Sequence, residues 1–234
     1  MEELNIALIH SDVRYGDPAS NRFRLEALNR EAAEKGARII LNTEMAVSGY
    51  GFRSREEIAP YVESQEGPTL RLLAQIADRY DCYIMAGYAE EADDTGVYYN
   101  AAAVLGPDGK LLLNYRKITA EARWACAGSP GQSNVFDTPW GRIGVAICSD
   151  TYYGAVARMS ALRGVDLLLV PANWPGGSID PRELWRVRAR ENGFFVAACN
   201  RTGKDRTMVC DDAFSCVYDA RGNTVSAKDR KSVV

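Results

Sequence analysis

The 234-residue sequence contains a single histidine, His10. A Ser-His-Asp or Cys-His mechanism would have to use that one residue, and a metal site built on several imidazoles cannot be assembled from it. His10 closes the apolar run Leu4 to Ile9, so a polar residue satisfied at a strand end is a simpler reading than a general base. The six cysteines, Cys82, Cys126, Cys148, Cys199, Cys210 and Cys216, include no Cys-x-x-Cys pair. Scattered thiols in a chain of this size suit a reducing compartment, so a cytoplasmic location is expected, with no metal and no other cofactor. Cys210 and Cys216 are close together but lack two further ligands at zinc-like spacing. Long apolar runs are missing too. The longest, Val165 to Ala172, is interrupted by Asp166 and falls short of the roughly 18 residues of a membrane span. Met1 to Asn5 carries no basic segment, so no signal peptide is expected. With 28 Lys and Arg against 31 Asp and Glu, a net charge of −3 and no basic run, neither nucleic acid nor an anionic membrane is an expected partner.

What is present is a core-forming α/β pattern. Hydrophobic residues make up 47% of the chain, enough to bury a sizeable core. Strand-like runs at Leu4 to Ile9, Ala37 to Leu41, Cys82 to Gly87, Ile143 to Ile147, Val165 to Val170 and Phe194 to Cys199 alternate with helical periodicity at Asn21 to Lys35, Leu70 to Tyr80, Tyr153 to Arg163 and Pro181 to Glu191. Hairpins are expected around Gly106-Pro-Asp-Gly109, where Val97 to Leu105 meets Leu111 to Tyr115, and around Asp219-Ala-Arg-Gly222. A turn at Thr138 to Gly141 separates Val135-Phe136 from the next strand. The terminal Lys231 to Val234 reads as the start of a strand. No internal repeat or low-complexity linker divides the chain. The pattern predicts one α/β domain, either a mixed sheet or two sheets packed between helical layers.

Three residues follow apolar strands directly: Glu44, Lys117 and Cys148. Side chains beyond strand ends can converge although far apart in sequence. A thiol at a strand tip can act as a nucleophile, a carboxylate can take its proton, and an ammonium can hold a developing oxyanion. Each residue also has an ordinary reading. Cys148 could be a small buried hydrophobe, Glu44 a loop carboxylate, and Lys117 a surface cation beside Arg116.

The residues around these three resemble the nitrilase superfamily, the carbon–nitrogen hydrolases, in the same order along nearly the whole chain. The matching stretches are Asn42-Thr-Glu-Met-Ala-Val-Ser-Gly-Tyr50, Asn114-Tyr-Arg-Lys117 and Gly144-Val-Ala-Ile-Cys-Ser-Asp150. Pro171-Ala-Asn-Trp-Pro175, Arg188-Ala-Arg-Glu-Asn-Gly193 and Ala198-Cys-Asn-Arg-Thr-Gly203 add three more. The resemblance implies a four-layer α-β-β-α sandwich of two mixed sheets, a single domain over 1–234, and a homodimer or higher homo-oligomer. It implies Cys148 as nucleophile, Glu44 as general base and Lys117 as oxyanion-stabilising cation. It further implies Glu121 as a supporting carboxylate, the Ser149 N–H as second oxyanion donor, and Asn173 and Trp174 as pocket lining. Tyr50, Phe52, Trp124 and Trp174 would form an aromatic wall, or else simply pack together.

The departures bear on the substrate. Thr119-Ala120 stands where many members carry His-Leu, Tyr152-Tyr153-Gly154 where many amidases carry Phe-Pro-Glu, and Cys148-Ser-Asp150 where the nitrilase branch carries Cys-Trp-Glu. The last of these favours a linear amide or N-carbamoyl substrate over a nitrile, cleaved through a thioester with release of ammonia or an amine. The alternatives are nitrile hydrolysis, acyl transfer to an amine, or a catalytically silent relative acting as a binding or assembly module. The family's C-terminal tail is expected to be short or missing.

Overall fold

A computed structural model of the chain describes residues 3–92, 95–177, 179–205 and 207–228. The strand start read at Lys231 to Val234 lies outside the described residues, as do Asp93 and Asp94 of the turn expected over Asp93-Asp94-Thr95-Gly96. Sheet one contains β1 (Ile6–Leu8), β2 (Ile39–Leu41), β3 (Tyr83–Ala92), β4 (Val97–Leu105) and β5 (Leu111–Arg116), in that order. Sheet two contains β6 (Val135–Thr138), β7 (Gly141–Val145), β8 (Leu167–Ala172), β9 (Phe195–Asn200), β10 (Ser215–Tyr218) and β11 (Thr224–Lys228), ordered β11-β10-β9-β8-β7-β6. Both sheets are mixed. β1, β2 and β3 run parallel, whereas β4 and β5 return as antiparallel hairpin strands. β7, β8 and β9 are parallel, with antiparallel pairs at either side.

The period-two alternation of the strands builds the layers. Ile39, Leu41, Met85, Val104 and Leu113 of sheet one share one apolar cluster with Phe136, Ile143, Val145, Leu167 and Leu169 of sheet two, so the sheets pack face to face. Between Ile39 and Leu41, Ile40 points to the other face with Ile84 and Ala86. There it meets Leu25 and Ala33 of α1 (Pro18–Glu34), and Leu73, Ile76 and Ala77 of α3 (Pro68–Tyr80). On the far side Leu168, Val170, Val196 and Ala198 pack with Ala157 of α4 (Gly154–Leu162), and with Trp185 and Ala189 of α5 (Pro181–Asn192). Burying an aliphatic side chain of this kind contributes about 1.5–3 kcal/mol. A strand with apolar side chains on both faces therefore stays between two layers. The result is the α-β-β-α sandwich.

Local chemistry sets the helix ends. Asp17 caps α1 by accepting the Ser20 N–H at 3.1 Å, with Pro18 in the first turn. Asp180 and Pro181 do the same for α5, and Gly193 ends it at φ +72°. Two elements differ from the sequence reading. β3 continues past Gly87 to Ala92, because Glu90 is buried within it and accepts from Arg116 Nε and Nη2, both at 2.8 Å, and from Gln65 at 2.9 Å. The loop after Gly51 contains a one-turn helix, α2 (Arg55–Ile58), capped by Ser54.

Candidate active site

Glu44, Lys117 and Cys148 meet between the two sheets at the ends of β2, β5 and β7. Alternation already places Lys117 on the inner face with Leu113 and Tyr115. Its Nζ donates to Glu44 Oε1 at 2.7 Å and to Glu121 Oε1 at 2.6 Å. Lys117 is 1% exposed and Glu44 0%, so neither is the surface charge that its residue type alone would suggest.

The turn carrying Cys148 differs from the sequence reading in one respect. Strand pairing ends at Val145, and the residues from Cys148 to Tyr152 form a 3-10 turn before α4 begins at Gly154. Cys148 itself has φ +44°, a left-handed conformation that a non-glycine residue adopts at a cost in strain. Asp150 holds that turn in place. Its Oδ2 accepts from Ile147 N–H at 3.1 Å and the Tyr115 hydroxyl at 2.9 Å; its Oδ1 accepts from Thr119 N–H at 2.8 Å and the Thr119 hydroxyl at 2.9 Å. The Cys148 turn is thereby tied to the loop that follows Lys117. Thr151 donates to the Cys148 carbonyl at 2.7 Å, and α5 holds Thr151 through Trp185 Nε1 at 3.1 Å and Arg188 Nε at 2.7 Å.

Glu44 is anchored at both carboxylate oxygens. Oε1 accepts from Lys117 and from Asn100 Nδ2 at 2.8 Å, and Oε2 accepts the Asn173 N–H at 2.9 Å. The Asn173 side chain donates to the Glu44 carbonyl. Gly87 of β3 lies directly beneath this turn. A Cβ there would stand 2.6 Å from Glu44 Cα and 2.8 Å from both Met45 N and Thr43 O, all backbone atoms that cannot step aside independently. Gly87→Ala is therefore expected to displace Glu44 and lower kcat about 100-fold, since a misplacement near 1 Å can cost that much. A kcat close to wild type in the folded variant would show that the turn tolerates the shift.

Burial, the largest influence on Glu44, raises its carboxyl above the usual range; Glu121 adds to this, and Lys117 and Asn100 oppose it. Glu121 moves the other way, because Lys117, Tyr50 and Asn100 together outweigh the effect of burial. For Lys117, burial favours the neutral amine, but Glu44, Tyr50 and Glu121 outweigh it and hold the ammonium well above its ordinary range. Burial, with the Glu44 charge next, pushes the Cys148 thiol well above its ordinary range. A thiol in that state needs a base to become a nucleophile, and the Glu44 carboxylate lies near enough for its charge to act on it.

The other expected residues take different positions. The Tyr50 hydroxyl donates to Glu121, and its ring lies 5.7 Å from Lys117 Nζ. The Ser149 hydroxyl lies 2.8 Å from that of Thr119. Trp174 is partly buried and meets Trp185 edge-on at 6.2 Å. Trp124 is 4% exposed and Phe52 0%, within one apolar cluster with Met45 and Ile58; Phe52 stacks on Tyr15 at 4.6 Å. For Phe52 and Trp124 the packing alternative describes the arrangement. His10 Nδ1 lies 2.9 Å from the Asn200 carbonyl and 2.8 Å from the Ser215 hydroxyl, a polar residue tied across to the second sheet. Asn100 and Asp150 were not singled out in the sequence. For Asn100 a signal existed: it is the polar member of the alternating set Tyr98, Asn100, Ala102, Val104 in β4.

The structure is thus a four-layer α-β-β-α sandwich of two mixed sheets that presents a buried cysteine just past a sheet-two strand, the architecture that the sequence resemblance implied. Comparison with known proteins agrees at the level of sequence. The carbon–nitrogen hydrolase family profile matches residues 5–233, and the chain belongs to that family of hydrolases acting on C–N bonds. It is 34% identical over 208 residues to a nitrilase of Pyrococcus abyssi, covering 88% of this chain and 78% of that protein. It is 32% identical over 236 residues to an omega-amidase of Homo sapiens, covering 96% and 81%. Among solved structures, Saccharomyces cerevisiae Nit3, of branch 10 of the nitrilase superfamily, superposes with a TM-score of 0.86 at 23% identity, covering 97% of this chain and 86% of that one. An amidase from Nesterenkonia sp. gives 0.83 at 24%, with the same coverages of 97% and 86%. Among the described residues no helix is long and apolar enough to cross a membrane.

Proposed function

We propose that this chain hydrolyses a linear amide or N-carbamoyl compound through a thioester on Cys148. One observation carries the reading: a buried Glu44, bonded to Lys117 at 2.7 Å, acts by its charge on a buried thiol that is held on a strained strand-end turn. Glu44 takes the Sγ proton, and the thiolate attacks the carbonyl carbon. The Lys117 ammonium and the Ser149 N–H hold the oxyanion. The C–N bond breaks, and nitrogen leaves as ammonia or an amine with the proton that Glu44 took. Water then gives a proton to Glu44 and attacks the thioester; the carboxylic acid departs, and the proton returns to Sγ. The relatives described as omega-amidases support an amide substrate. The relative described as a nitrilase makes a nitrile the second reading.

A panel of linear amides, N-carbamoyl compounds and nitriles, scored for released ammonia or amine and for an acyl mass on intact protein, tests the proposal. The expected result is release from at least one amide or carbamoyl compound, with any trapped acyl group mapped to Cys148. Turnover of nitriles alone would move the chain to the second reading. Neither release nor adduct across the panel would point to a silent relative. We also propose a homodimer, to be checked by sedimentation.

A further inference from the structure

Asn100 is a neutral amide connected to both carboxylates of the site. Its Nδ2 donates to Glu44 Oε1 at 2.8 Å and to Glu121 Oε2 at 3.0 Å. Lys117 Nζ donates to the same two residues, so an amide and an ammonium together bridge a pair of like charges. The position follows from strand register. Ala101 pairs with Arg116, so Asn100 lies opposite Lys117, whose N–H donates to the Asn100 carbonyl at 2.8 Å. On the other side Asn100 pairs with Ala89, a small neighbour. Asn100 is 0% exposed, and its Oδ1 is buried with no hydrogen-bond partner among the described residues. An unpaired buried acceptor costs free energy, which a leucine of similar size would avoid. Packing alone therefore does not account for an asparagine here; its two N–H donors do.

We propose that Asn100 is a positioning residue for Glu44, holding Glu44 and Glu121 on either side of Lys117 Nζ and keeping Glu44 ionised, ready to accept the Cys148 proton. This rests on the reading of Glu44 as base and Cys148 as nucleophile. The charged and titratable groups facing Glu44 are Lys117, Glu121, Tyr50 and Cys148. Lys117 and Asn100 favour the carboxylate, while burial and Glu121 oppose it. Removing the amide donors shifts that balance toward the protonated acid. The base form then appears only at higher pH, so the rising limb of the pH profile moves up.

The test compares wild type with Asn100→Leu and Asn100→Ser, both checked for folding by thermal unfolding. The rate of Cys148 alkylation by iodoacetamide is followed against pH by peptide mapping, with Cys148→Ala as background. kcat and KM are measured on an amide that the wild type turns over. In Asn100→Leu the rising limb is expected to move up by about one pH unit or more, and kcat to fall at least about tenfold with a smaller change in KM. Asn100→Ser, keeping one donor, is expected to fall between, and it carries the test if the leucine variant does not fold. An unmoved limb and unchanged kcat in a folded variant overturns the role of Asn100 while leaving the base–nucleophile reading intact. A wild-type Cys148 no more reactive than the other buried thiols overturns that reading, and this inference with it.

Discussion

Cys148→Ala protein is expected to fold and to release no ammonia or amine from any substrate the wild type turns over. The substitution removes one sulfur from a residue 5% exposed, and the backbone bonds that shape its turn remain: Asp150 still accepts the Ile147 N–H, and Thr151 still donates to the Cys148 carbonyl. Stability should therefore change by only about 1 kcal/mol, the usual scale for a small buried truncation. The chemistry has no substitute. The other buried thiols include Cys82, Cys199, Cys210 and Cys216, and burial raises each of them above the ordinary range. A steady-state assay with an intact-mass measurement checks both halves of the expectation: no turnover and no acyl adduct. Wild-type turnover by purified Cys148→Ala protein would remove Cys148 from the mechanism.

Lys117→Ala is expected to lower kcat by about 100- to 1000-fold, the typical loss on removing one oxyanion donor. Its effect on stability should be larger than that of Cys148→Ala. Nζ contacts Glu44 at 2.7 Å and Glu121 at 2.6 Å, so the variant leaves two carboxylates facing each other in a dry site. Breaking a buried ion pair from one side costs about 3–5 kcal/mol. The two carboxylates can reduce that cost only by sharing a proton, which disables Glu44 as a base. Lys117→Met, which keeps most of the volume, separates the effects of packing and charge. It should recover part of the thermal stability and none of the rate. A Lys117→Met protein with wild-type kcat would show that the ammonium does not act on the oxyanion.

Much of the fold was legible because period-two and period-3.6 patterns are local. Ile39-Ile40-Leu41 is apolar throughout, and the structure buries it on both faces. Leu72, Leu73, Ile76 and Ala77 outlined α3. Boundaries failed where a polar residue is satisfied from a distance. The strand read to Gly87 runs on to Ala92, because Arg116, Gln65 and Asn114 make Glu90 an interior residue. Ser54 and Glu57 fold α2 inside a stretch that reads as a loop. Asn100 carried a faint signal in its alternation, but its partners come from three other segments.

The sequence by itself determined the candidate chemistry. One histidine narrowed the choice of base, and Glu44, Lys117 and Cys148, each following an apolar run, supplied a carboxylate, an ammonium and a thiol. Those are properties of residue type and local pattern, which a linear reading carries. Tertiary structure alone decided the electrostatic state of these groups. Whether Glu44 is a solvated loop carboxylate or a dry carboxylate with a raised pKa depends on burial between two sheets, on Asn100 reaching it from β4, and on Lys117 and Glu121 reaching it from the segment just after β5. Desolvation and Coulomb interactions depend on distance in space, and only the packing of the second sheet against the first sets those distances.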